Sequence, residues 1–143
     1  MPKNEIANIK TVNEMPIIMP ENMDKKALFN SMQDTSPISD LVGKKFSIMG
    51  MIPEMVDVPK TRDGNGDEIH YEDGEDVEMI NRLRITLVTD VGSYHSFSVT
   101  FNSALMKMLN VFGADYKDMK FEIISKSRGT GNAVKAYYVI RAV

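Results

Sequence analysis

The sequence predicts a mainly-β fold in which three strands, one helix and two further strands follow in that order, behind a short N-terminal helix. Three observations carry this. Alternating apolar and polar residues recur over 44–58, 82–90 and 93–101, a stretch with helical spacing follows at 102–112, and two shorter apolar runs at 119–125 and 133–142 close the chain. A period of two sets one face of a strand against a core, and apolar residues three and four apart do the same for a helix.

Residues 1–22 hold Pro2, Pro16 and Pro20 and show no sustained period, which predicts an extended arm. Its Ile6, Ile9, Ile17, Ile18 and Met19 make it more apolar than a disordered tail, so it is expected to dock on a surface. Docked on the next subunit, it would string subunits into an open chain; folding back on its own body is the alternative. Ala27, Leu28 and Met32 predict a helix over 23–33, ended by Asp34-Thr35-Ser36-Pro37 because the residue before a proline disfavours helical geometry. The expected division is an arm and helix over 1–36 and a body over 37–143.

In the first strand Phe46, Ile48, Ile52, Val56 and Val58 share one parity, and Gly50 and Pro53 mark the bend or bulge that lets a long strand curl. Met49 and Met51 remain open between core and surface. Leu83, Ile85 and Leu87 predict the inward side of the second strand, and Val91-Gly92 a tight turn into the third. There Phe97, Val99 and Phe101 are expected inside, opposed to Tyr94, Ser96, Ser98 and Thr100. Asn102 is the expected N-cap of a helix whose Leu105, Met108, Leu109 and Phe112 face the core, with Gly113 as its stop.

Composition limits the function classes. The chain has 143 residues, 43% of them hydrophobic and 26% charged, which fits one ordinary globular domain. The apolar run 15–19 is too short and too interrupted by proline to span a bilayer, and no secretory leader is recognised at the start. Zero cysteines exclude disulfides and thiolate chemistry and suit a cytoplasmic location. With two histidines and no nucleophile–base spacing, the sequence calls for no enzyme activity, metal or cofactor. The net charge of −3 is unevenly distributed: eight of the 20 acidic residues crowd into 63–78, whereas residues 79–143 carry nine basic against four acidic ones.

Three strands, a helix and two strands is the arrangement of the OB-fold, a five-stranded Greek-key barrel with one helix between strands 3 and 4. Over about residues 40–143 the chain resembles the short OB-fold single-stranded-DNA-binding proteins of Gram-positive phages and conjugative plasmids. That resemblance implies sequence-tolerant binding and protection of single-stranded DNA during plasmid transfer or phage-type replication, with subunits oligomerising along the strand. RNA and duplex DNA are weaker candidate partners, and a protein-interaction module without nucleic-acid binding is the alternative. Tryptophan, common as a stacking platform in such proteins, is absent, so stacking falls to Tyr or Phe.

Candidate binding residues follow from what a single strand needs, namely cations for phosphates and aromatic faces for bases. Arg82, Arg84, Tyr94 and Ser96 are expected on the outward face of strands two and three. Lys135 and Tyr137 share one parity of strand five, with Tyr138 opposite. Lys126 and Arg128 open a glycine-containing loop suited either to a phosphate backbone or to an ordinary hairpin. Tyr71, beside the acidic loop, is a further base contact. Asp63-Gly64-Asn65-Gly66-Asp67 opens like a calcium loop but has Glu68 where glycine is needed and Gly74 where a bidentate Glu is needed.

Overall fold

The computed structural model describes residues 11–129, 131 and 135–143. Ile6 and Ile9 therefore lie outside the described residues, as does part of the loop after Arg128. The architecture is mainly β, with two larger open sheets, a two-stranded hairpin and two α-helices among the described residues. No helix among the described residues is long and apolar enough to cross a membrane.

A long run of chain serves both sheets. Its first part, β4 (Lys45–Phe46), pairs with β8 (Phe121–Arg128), and after Ser47 its second part, β5 (Ile48–Pro59), pairs with β6 (Met79–Thr89). A register irregularity between Ile48 and Gly50 bends the run where the sequence predicted it. Gly50 has a second reason to be glycine. A Cβ there would sit 2.6 Å from Pro20 Cγ, so only a bare backbone lets residues 18–20 lie against the strand.

β6 turns tightly into β7 (Gly92–Ser96), and β8 pairs with β9 (Lys135–Ala142). The strand orders are β3-β7-β6-β5 and β4-β8-β9, where β3 is the short Ser36–Pro37 segment parallel to β7. Closure of a five-stranded barrel needs β7 to reach β9, and no such pairing occurs among the described residues. The outer edge of β7 is already occupied by β3, and β7 is only five residues long.

The early end of β7 corrects the expectation for 93–101. Ser96 Oγ accepts from Ser98 N–H at 3.1 Å, and Ser98 Oγ accepts from Phe101 N–H at 3.1 Å. Serine side chains thus offer the backbone local partners in place of a ladder. Ser98, not Asn102, caps the following helix, α2 (Val99–Phe112), and Asn102 lies buried inside its first turn. Phe101, Leu105 and Met108 of α2 close the core with Phe46, Leu41, Met51, Ile85, Leu87, Phe121 and Ile123.

The N-terminal segment folds onto its own chain. β1 (Thr11–Val12) and β2 (Met15–Pro16) form a hairpin whose Met15 is buried in the core. Ile18 and Met51 exchange both backbone hydrogen bonds at 2.8 Å. Helix α1 (Lys25–Gln33), capped by Asp24 accepting from Ala27 N–H at 2.7 Å, then crosses the outer face of β5–β6. Its Leu28 packs with Ile52 and Val88, flanked by Ile17, Met23 and Met32. Ile17 and Ile18 are therefore satisfied within the chain, whereas Met19 stays half-exposed.

Candidate nucleic-acid interface

The two expected halves of the interface meet opposite fates. On β6–β7, opposed residues share a face, and the register sets Tyr94 against Leu87 and Ser96 against Ile85. Leu87 and Ile85 are core residues, so Tyr94 at 5% and Ser96 at 4% exposure point inward and present nothing to a base. Both leave the set of candidate contacts. The expected parity was inverted because Phe97, which suggested the inward row, has already left the strand.

The outward row, Arg84, Thr86 and Val88, lies beneath α1. Arg84 Nη2 donates to the carbonyl of Met32 at 3.1 Å and to Thr35 Oγ1 at 2.9 Å, and Nε lies 3.9 Å from Glu54. A guanidinium engaged on three sides holds the end of α1 in place and is not free for a phosphate. Ser31 and Ser93 hydroxyls meet across the same contact, and Thr35 Oγ1 pairs with His95 Nδ1 at 2.9 Å. Burial, then the nearby Arg84 charge, push the His95 pKa below its usual value, which keeps the ring neutral. Arg82 remains exposed beyond the helix, donating to the Phe97 carbonyl at 3.1 Å with its guanidinium 5.7 Å from the Phe97 ring.

The β8–β9 ribbon is different. Its register pairs Glu122 with Arg141, Ile124 with Val139, Lys126 with Tyr137 and Arg128 with Lys135, so these eight side chains share one face. The opposite face carries Phe121, Ile123, Tyr138 and Ile140 to the core, as the sequence parity of strand five predicted. The face turned away from the core therefore carries four cations and one carboxylate, with Arg141 paired to Glu122. Lys126, Arg128 and Lys135 are exposed and form no salt bridge among the described residues. The Arg128 guanidinium lies 5.2 Å from the centre of the half-buried Tyr137 ring, diagonal to it across the ribbon.

Tyr71 is held within the acidic loop, its hydroxyl donating to the Lys60 carbonyl at 2.9 Å. In the same loop Asp63 Oδ1 accepts from the backbone N–H groups of Asn65 at 2.8 Å and Asp67 at 3.0 Å. That carboxylate closes its own turn, and no cluster among the described residues has the make-up of a metal site. Two features went unread in the sequence: the covering role of α1, and the placement of Phe97 and Asn102 beside Arg82. The Ser-Phe-Ser triplet at 96–98 was the available signal for the second.

Comparison with protein-family models, with curated proteins and with solved structures returns no match. The functional reading rests on the geometry alone.

Proposed function

We propose that the protein binds single-stranded DNA on the outward face of the β8–β9 ribbon. What carries the reading is the Arg128–Tyr137 stack set among Lys126 and Lys135, cations without acidic partners beside an aromatic ring. Phosphates take the cations and a base takes the free side of the tyrosine, a combination that tolerates any sequence. The strand order gives further support. With β4 and β5 taken as one bent strand, the series β7-β6-β5/β4-β8-β9 is the order expected of an OB barrel left open between its third and fifth strands, which supports the reading. In such a barrel the β8–β9 turn is the loop between strands 4 and 5, one of the places where OB-folds hold oligonucleotides.

Anisotropy titrations of a labelled oligo(dT) at several salt concentrations test the proposal. Affinity falls steeply with salt, and changing Lys126, Arg128 and Lys135 together to alanine flattens the log–log slope by about 2, at roughly 0.7 per lost phosphate contact on a single strand. Salt-insensitive binding, or an unchanged slope in the triple variant, removes the ribbon as the site and favours the protein-interaction reading.

A further inference from the structure

The strongest unassigned feature is a cleft of about 490 Å³ between the N-terminal hairpin, β6 and the start of α2. That volume lies in the range of small-ligand sites, roughly 300–1,000 Å³. Met15, Leu83 and Met106 supply apolar wall, whereas Arg82, Phe97 and Asn102 supply chemistry. We propose that this cleft binds one 5′-nucleotide, its base against Phe97 and Asn102 and its phosphate at Arg82.

Asn102 points to a ligand. It is only 5% exposed, and its Oδ1 has no hydrogen-bond partner among the described residues. A buried unpaired acceptor costs about 1–3 kcal/mol, and asparagine is a poor helix former, so nothing local favours it over leucine in the first turn of α2. A nucleobase supplies the missing donor, through the exocyclic amine of adenine, cytosine or guanine or the ring N–H of guanine or thymine. Phe97 offers a half-buried ring, and its carbonyl fixes Arg82 through the 3.1 Å hydrogen bond, which pre-organises a cation beside the ring. The first N–H groups of α2 add positive potential on the same side.

The rim sets the length of the phosphate chain. Asn13 and Glu14 form the β1–β2 turn with φ of 49° and 68°, a left-handed conformation unusual for residues other than glycine. This turn sets Glu14 among the residues lining the cleft, one acidic residue against the single cation Arg82, a balance that disfavours a longer phosphate chain. The cleft thus suits a monophosphate, either free or at the 5′ end of a strand. It is separate from the ribbon and does not depend on DNA binding there.

Calorimetry on the full chain tests this with dAMP and dTMP. The expected result is binding of both nucleotides, with Asn102→Leu weakening each by about tenfold, the worth of one hydrogen bond. The same variant melts no lower than the parent, because an apolar side chain of similar size replaces an unpaired acceptor. The source of the nucleotide is read in a Lys126→Ala/Arg128→Ala background, which silences the ribbon. Tighter binding of a 5′-phosphorylated oligonucleotide than of its 5′-hydroxyl form, abolished by Arg82→Met, assigns the cleft to a strand end. Binding of dAMP without that difference assigns it to the free nucleotide. Absence of both effects, or Asn102→Leu binding dAMP as well as the parent, overturns the proposal.

Discussion

The two sheets each turn one face away from the common core, and the two faces have been put to opposite uses. On β5–β6–β7 that face is roofed by α1: Thr86 is fully buried, Val88 nearly so, and Arg84 is tied to the end of the helix. On β8–β9 no described residue covers that face, and among the described residues its cations are met by one carboxylate. Both faces look alike in sequence, with cations two residues apart on a strand, Arg82 and Arg84 on one and Lys126 and Arg128 on the other. What separates them is a helix that ends more than forty residues before β6 begins, so a polar row on a strand is a binding surface only if nothing else in the chain lies across it.

The sharpest way to break this contrast is to loosen the roof. Leu28→Ala removes the one buried side chain of α1 and is expected to lower stability by about 2 kcal/mol, the low end for a buried leucine because its cluster is small. Denaturant unfolding measures it. Oligonucleotide affinity should not move; a marked rise would mean that the covered face binds DNA once exposed.

On the bare face the expected effect is of the other kind. Tyr137→Ala costs about 1–3 kcal/mol in binding, the range for one stacked base, with little change in salt slope or melting temperature. Anisotropy and thermal melts together check it, and a loss of stability without a loss of affinity would make Tyr137 a packing residue.

The smallest expected effect is one of pH. The folded-state pKa of His95 is depressed, by burial first and by Arg84 second, so below the ordinary histidine value the unfolded chain binds a proton that the folded chain refuses. Stability contributed by the neutral ring is therefore full above about pH 6.5 and is lost as pH falls from there toward the folded pKa. His95→Asn should flatten this part of the profile, measured by melting temperature between pH 7.5 and 5. An unchanged slope would place the sensitivity elsewhere.

Much of the fold was legible because period-two alternation and helical spacing report directly on burial. β5, β6, β8, β9 and α1 fall close to where their patterns put them, and the inward parity of β9 was read correctly from Tyr138 and Ile140. The errors concentrate at 93–102. There Phe97, Val99 and Phe101 continue the alternation in sequence, while Ser96 and Ser98 redirect the backbone through short-range hydrogen bonds that a periodicity reading does not weigh. Barrel closure was equally illegible, since it depends on whether Ser36–Pro37 reaches the edge of β7, a long-range pairing with no local signature. The grouping of Lys126, Arg128, Lys135 and Tyr137 on one face was legible because it depends on strand parity and pairing alone, and no described residue upstream lies across it.

The junction between the sheets sets how the bare ribbon can behave. β5 and β6 are joined through eleven register pairs, but β4 holds β8 through only two, Lys45–Glu122 and Phe46–Phe121, at the core end of the ribbon. Beyond Ile124 every described residue of β8 is exposed. Resistance to amide exchange should therefore decay along β8, from Phe121, anchored with the global fold, to Arg128, protected only by its partner strand. The cationic end is a cantilever, able to bend with the curvature of a flexible polymer while its root stays fixed.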